Sequence, residues 1–318
     1  MNHPRRPVGY PTGHPGGLTR RFVNAVECIL ALVVAMGAAA APACAQSGGT
    51  RVVEEHPFDD PEGLLMGYYS AVVAFSPLGA AAKAKAWTID LDVETGFIPP
   101  LSEDQRTAGR DKPEATNLAP AYFRPRAAIV FPANIRLELG WLPPLELFGV
   151  TPNVGSVALS APVAHIRAVE IVPRATYTWG TIKAPITCNS DLALSPNQSF
   201  QIYYQLVCHD RESDDHFEPS QWSGEIDGSA AIMGGALVPY AGIGVQHYDT
   251  KFDIGVINTD GSRDTDHPIL HMEAYRGFGV AGVTWLAASP LSFSGELYWA
   301  PGSLFTARFL ARVALHSK

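Results

Sequence analysis

Apolar and polar positions alternate along most of this chain with a period of two. Trp87, Ile89, Leu91 and Val93 alternate with Thr88, Asp90, Asp92 and Glu94. Ile135, Leu137, Leu139 and Trp141 alternate with Arg136, Glu138 and Gly140. Tyr177 and Trp179 alternate with Arg174, Thr176 and Thr178. Leu291, Phe293, Gly295, Leu297 and Trp299 alternate with Ser292, Ser294, Glu296 and Tyr298. The longest run sets Phe305, Ala307, Phe309, Ala311, Val313 and Leu315 against Thr306, Arg308, Leu310, Arg312 and Ala314. This period predicts strands with one apolar and one polar face. Weaker strand patterns lie near 122–131, 154–161, 163–172, 200–208, 223–234, 237–249 and 270–286. Turn signals separate the runs, among them Pro99-Pro100, Pro143-Pro144, Thr151-Pro152-Asn153, Asp260-Gly261 and Ser289-Pro290. About ten to twelve strands result, with residues 102–121 and 209–221 read as charged loops.

One segment departs from this pattern. Asp60 suits a helix N-cap, Pro61 the first helical position, and Glu62 the positive end of the dipole. Leu64, Tyr68 and Val72 form one apolar row and Leu65, Tyr69 and Val73 another, until Pro77 and Gly79 end the pattern. A helix of ~15 residues is too short to cross a bilayer, which takes ~20 apolar residues. Three placements stay open: at a membrane interface, inside a barrel as a plug, or capping its end.

The N-terminus reads as an export signal. Arg5, Arg6, Arg20 and Arg21 precede the first acid, Glu27. An apolar run from Cys28 to Ala41 follows, and Ala43-Cys44-Ala45 supplies the small-x-small pattern of a cleavage site. Ala41, three residues before Cys44, departs from the usual Leu of a lipoprotein signal. Thr19-Arg20-Arg21-Phe22 faintly resembles a twin-arginine signal, a route for folded cargo. The chain therefore divides into a signal peptide, 1–45; an N-terminal segment with a plug or capping helix, 46–85; and a β-domain, 86–318.

Composition narrows the architecture. Charged residues make up 17%, below the ~25% of soluble domains, so part of the surface meets something other than water. The formal charge is −8, and four of the 23 basic residues lie in the leader. The exported part is strongly acidic, which argues against nucleic acid as a partner. The run 305–315 has the 9–11 residues of a tilted membrane strand, and Trp87, Trp141, Trp179, Trp285 and Trp299 sit toward strand ends, as in interfacial girdles. Lipid tolerates strands only in a closed ring, and the last run can close one against the first. The expected fold is all-β: a closed antiparallel transmembrane β-barrel of about 10–12 strands with a short N-terminal helix. Its apolar face looks outward. Its lumen receives Asp90, Asp92, Glu94, Glu138 and Glu296 together with Arg136, Arg167, Arg174, Arg308 and Arg312. Acids of the first strand are placed to meet Arg308 and Arg312 across the closing seam, either holding the barrel shut or forming a charged constriction.

Leader, short helix, alternating strands and the terminal amphipathic run Phe305–Leu315 together resemble the bacterial outer-membrane β-barrel class. Thr88-Ile89-Asp90-Leu91-Asp92-Val93 and Phe97-Ile98-Pro99 after the helix are similar to barrels of that class with a helical N-terminus. The final run differs from the class's C-terminal assembly signal by ending in Leu315-His316-Ser317-Lys318 rather than an aromatic. The resemblance implies an outer-membrane location, a lipid bilayer as partner, and selective passage or binding of small molecules, apolar ones included.

Candidate chemistry is sparse. Cys188 and Cys208 flank a polar stretch and are expected to form a disulfide in an oxidising compartment. The acidic loop His209-Asp210-Arg211-Glu212-Ser213-Asp214-Asp215-His216 could attract a hard cation, but it lacks ordered ligand spacing and reads as a solvated loop. Asn258 through Asp266 reads first as a turn. Ser160 with His165, and His247 and His271 on strand patterns, are the candidates for a lipid-modifying hydrolase. No Gly-x-Ser-x-Gly, phosphate loop, dinucleotide fingerprint or His-Glu-x-x-His occurs. No catalytic residue, metal ligand or cofactor is expected. Three alternatives remain: a structural or adhesion barrel with a filled lumen, a lipid-modifying barrel enzyme, and a soluble secreted β-sandwich.

Overall fold

In the computed structural model, residues 51–80, 85–107, 119–264, 266–288 and 290–315 are described. The export signal lies outside them. In chain order the elements are β1 (Val53–Glu55), α1 (Pro61–Val73), β2 (Ile89–Phe97), α2 (Glu103–Thr107), β3 (Ala121–Val130), β4 (Arg136–Leu142), β5 (Thr151–Ser160), β6 (Ala164–Ile166) and β7 (Val169–Ala184). Then follow α3 (Ser190–Ala193), α4 (Gln198–Leu206), β8 (Asp215–Ala230), β9 (Leu237–Asp253), β10 (Ile269–Ala288), β11 (Leu291–Ala300) and β12 (Leu304–Leu315).

Ten of these strands, β2–β5 and β7–β12, form one antiparallel ring. β12 closes it against β2 with Arg312 opposite Asp92 and Leu315 opposite Ile89. Because the sheet closes on itself, the described residues form no stacked pair of sheets, which removes the β-sandwich alternative. β6 adds a short hairpin to β7, and β1 lies parallel to the start of β10.

Inward and outward positions alternate as the period of two requires. On β2, Asp90, Asp92 and Glu94 are buried while Ile89, Leu91 and Val93 are exposed. On β9 the outward positions divide by height. Leu237, Pro239, Ala241, Ile243 and Val245 are apolar; His247, Asp249, Lys251 and Asp253 above them are polar. Aromatic pairs bracket the apolar band. Trp87–Phe131 and Trp285–Phe293 lie at the short-turn end, and Tyr177–Trp179 and Trp222–Tyr275 at the long-loop end. An apolar band bounded by aromatic girdles fits a bilayer. None of the described helices is long and apolar enough to cross a membrane.

The wall is uneven. β7 to β10 have 16, 16, 17 and 20 residues, whereas β4 has seven and β11 ten. The tall strands carry their polar upper third beyond the girdle. β11 pairs β10 only from Gly279 downward, so Ile269–Phe278 lack that neighbour, and β1 covers Ile269–His271.

Three readings of the sequence are corrected. Residues 200–208 form helix and loop rather than a strand, with α4 tied back by the Cys188–Cys208 disulfide. The run near 163–172 is split by a turn into β6 and the start of β7, and β7 continues through 174–179 because Pro173 pairs with Ile226 without breaking the ladder. The loop expected over 209–221 ends early: Asp215 begins β8. Its buried carboxylate accepts from Thr187 N (2.5 Å), Gly255 N (2.8 Å) and Ser213 Oγ (2.8 Å), so it anchors two loops.

Candidate functional site: the occupied lumen

The N-terminal segment enters at the long-loop end. Arg51 pairs with Asp253 at 2.5 Å, and His56 N donates to His271 O at 2.8 Å. Arg276 lies 3.3 Å over the Phe58 ring and 2.8 Å from Asp59. Asp60 then caps α1, its Oδ1 accepting from Gly63 N at 2.6 Å, with Pro61 in the first turn. α1 is apolar nearly all round, and such a helix needs burial on every side. It finds this inside the barrel. Leu65, Met66, Tyr68 and Ala71 pack in one core with Phe217, Tyr248, Met272 and Tyr298 of the wall. Tyr68 Oη donates to Pro99 O at 2.6 Å.

After Val73 the chain is extended, since Ala74 leaves helical geometry and Pro77 cannot resume it. An extended strand without a paired neighbour has unsatisfied carbonyls, which must be met when buried. Arginines of the wall meet them. Arg308 Nη2 donates to Ala71 O (3.4 Å), Arg124 to Val73 O (2.9 Å) and Arg126 to Ser76 O (3.1 Å). Arg174 donates to Pro77 O and to Gly79 O, the latter at 2.7 Å. Ala71 and Val73 lie in the helix's last turn, where cations also suit the dipole. On the donor side, Gly79 N donates to Tyr240 Oη (3.1 Å) and Ala80 N to Thr284 Oγ1 (2.8 Å), near the short-turn end. Two glycines make this threading possible. Gly79 has φ +101°, and a Cβ there would lie 2.7 Å from Ser294 Oγ. A Cβ on Gly140 would lie 2.7 Å from the Phe75 ring.

The same arginines are fixed by wall carboxylates. Glu94 meets Arg126 at 2.9 Å and Arg124 at 3.4 Å, and accepts from Tyr122 Oη at 2.7 Å. Glu138 bridges Arg126 (2.8 Å) and Arg136 (3.0 Å). Arg136 also pairs with Asp90, and Arg312 with Asp92 at 3.0 Å across the β12–β2 seam. Arg174 meets Glu225 (3.2 Å) and Asp227 (2.8 Å). Glu296 accepts from Tyr240 (3.1 Å) and Ser76 (3.2 Å). Arg308 donates to Ser76 Oγ and lies 4.0 Å from the centre of the Tyr298 ring.

Asp90, Asp92, Glu94, Glu138, Arg174, Glu296, Arg308 and Arg312 are buried at inner positions of the strands, and Arg136 is half-buried at the start of β4. Arg167, assigned to the lumen with them, does not belong there. It is exposed at the β6–β7 turn with φ +57°, where the chain reverses and the strand alternation no longer applies. Arg124, Arg126, Glu225 and Asp227 were missed, although Arg124-Pro125-Arg126 and Glu225-Ile226-Asp227 carry the same period-two signature.

Of the other candidates, His247, His271 and Asp260 have structural partners. Ser160 is buried on the inner face while His165 is exposed on β6, and no Ser–His hydrogen bond occurs among the described residues. His247 pairs with Glu273 at 3.0 Å and stacks on Trp222 outside the barrel. His271 lies between Glu55 (2.8 Å) and Asp249 (2.9 Å). Asp260 organises its turn through Ser262, whose hydroxyl and N–H hold the carboxyl below its ordinary pKa. His56, Asp60 and Glu62 form a compact donor group, in which Asp60 is already the helix cap and bonds His56 at 2.9 Å.

A closed antiparallel ring, an apolar girdled exterior and an ionic interior decide the class. This is an outer-membrane β-barrel architecture. No protein-family model and no curated protein matches the chain. Among solved structures, the KdgM porin is 8% identical, covering 72% of this chain and 99% of its own, with TM-score 0.30. The Acinetobacter baumannii outer membrane protein Omp33 is 6% identical over 72% of this chain and 98% of its own, TM-score 0.30. The Ralstonia pickettii toluene transporter TbuX is 9% identical over 85% and 95%, TM-score 0.31. These superpositions are loose, and the class rests on the geometry of this chain.

Proposed function

We propose that this barrel admits small molecules through a lumen sealed at rest by residues 61–80, with residues 1–45 serving as its export signal. The domains are then a leader (1–45), a sealing segment (46–85) and the barrel (86–318). The carrying observation is the way residues 74–80 are held. Their backbone meets the wall through side-chain hydrogen bonds, not through strand pairing. Each such bond nets only about 0.5–1.5 kcal/mol, or about 1.5–3 kcal/mol when one partner is charged, so the segment can shift while the ring stays closed. A ten-strand ring also has little spare width, which favours slow, selective transfer over free diffusion. Asp90, Asp92, Glu94, Glu138, Glu225, Asp227 and Glu296, with the six lumen arginines, form the charged lining that a solute would meet.

A second reading has its own support. The ion pairs and the threaded segment fill much of the interior, as a purely structural or adhesion barrel would. A cysteine pair separates the two. In proteoliposomes carrying Ala80→Cys/Thr284→Cys, flux of a small neutral solute should stop when the disulfide forms and return on reduction, with wild type under the same reductant as control. Equal flux in both states would contradict gating by this segment. No flux in either state would favour the filled structural barrel.

A further inference from the structure

We infer that an apolar cavity above the end of β4 is a binding site for a small hydrocarbon of about six to ten carbon atoms. β4 stops at Leu142, opposite Val154, and reaches β3 only from Arg126 downward. Residues 121–125 of β3 and 151–153 of β5 therefore face each other across a missing length of strand. The C-terminal turn of α1 stands behind this gap, and the loop 143–150 lies over it. Together they enclose about 260 Å³.

The lining is hydrocarbon. Val72, Tyr122, Leu142, Leu147, Val150 and Ile182 surround the space. The polar side-chain atom of the lining, Tyr122 Oη, is already engaged with Glu94 at 2.7 Å. A water molecule needs two to four polar partners, and an apolar cavity of ~150 Å³ stays dry and accepts a benzene ring. This one is larger, with room for a ring bearing a short alkyl chain. Its rim is preformed, because Leu147 and Val150 exchange two backbone hydrogen bonds at 2.9 and 3.0 Å. Leu145 and Leu147 are exposed at the mouth. Val72 is only half-buried although Ala71 and Val73 beside it are buried.

An occupant here touches the end of α1, whose Val73 carbonyl is held by Arg124. The site thus names a substrate class for the sealed barrel and rests on that reading for its role, though not for its existence. Full-length protein in lipid nanodiscs is titrated with fluorobenzene and followed by 19F NMR, with empty nanodiscs measuring partition into lipid. A saturable component is expected. Val72→Phe and Ile182→Phe should weaken it about tenfold or more by filling the cavity, while Leu194→Ala in the distant loop should leave it unchanged. Heat-dependent gel mobility reports whether each variant has folded, and Leu147→Trp, at the mouth, replaces one that has not. A titration that matches empty nanodiscs overturns the site, as does saturable binding that neither filling variant moves. Saturable binding without solute flux would keep the site and overturn gated passage; flux without binding would do the reverse.

Discussion

The two halves of the lumen hold one segment by different physics. Toward the long loops, α1 satisfies its own backbone up to its last turn, where the Ser70, Ala71 and Val73 carbonyls take wall donors, and it offers the wall mainly side chains, so the wall answers with Phe217, Met272, Phe278 and Tyr298. Toward the short turns the segment is extended and offers its backbone, so the wall answers with Arg124, Arg126 and Arg174. The lesson concerns what the wall must supply. A helix in a barrel calls for apolar area; an extended strand calls for donors, and donors bring in the carboxylates that fix them. The lower half is consequently the more brittle, because one lost group strands several others.

That contrast sets the order of expected effects. Arg126→Met leaves Glu94, Glu138 and the Ser76 carbonyl short of a partner, and should destabilise the barrel by about 4 kcal/mol, read as a lower urea midpoint of unfolding. Met66→Ala in the upper half should cost about 3 kcal/mol as a simple cavity, and Met66→Leu should restore most of it. No neutral substitution at Arg126 should be rescued in that way. If the two sites respond alike, the two-part account of the lumen is wrong. Replacing Cys188 and Cys208 by Ser removes a loop constraint worth about 2–3 kcal/mol, but the loss should appear as faster proteolysis of residues 185–214, with the heat-dependent gel shift of the ring intact. The smallest effect belongs to Glu273→Ala, on the polar upper part of the tall wall, which should stay within about 0.5 kcal/mol. An apolar-band control, Ile243→Arg, should cost about 2–4 kcal/mol in a bilayer, and equal values at the two positions would misplace the membrane.

Much of this was legible in the sequence because a membrane barrel writes its two solvents into alternate residues. The runs at 87–94, 135–141, 291–299 and 305–315 fall on β2, β4, β11 and β12, and the helix from Pro61 runs as its cap and apolar rows suggest. What stayed hidden was what depends on partners far away in the chain. Arg124 and Arg126 gain their role from carbonyls some 50 residues earlier. Gln198–Leu206 is rich in strand-favouring Phe, Ile and Tyr, and tertiary context makes it a helix on a disulfide-closed loop. Arg167 follows a strand pattern that a hairpin turn interrupts. The apolar cavity comes from strand β4 ending early, a matter of register that no local pattern records.

The central claim is that residues 61–80 run through the closed ring to its short-turn end. Its most direct test is oxidative folding of the Ala80→Cys/Thr284→Cys protein in lipid, then denaturing gels of boiled samples with and without reductant. Ala80 N lies 2.8 Å from Thr284 Oγ1, so the account predicts an internal cross-link that changes the mobility of the unreduced chain beyond the shift from the Cys188–Cys208 loop. Two free thiols at 80 and 284, open to maleimide in the folded protein, would contradict it.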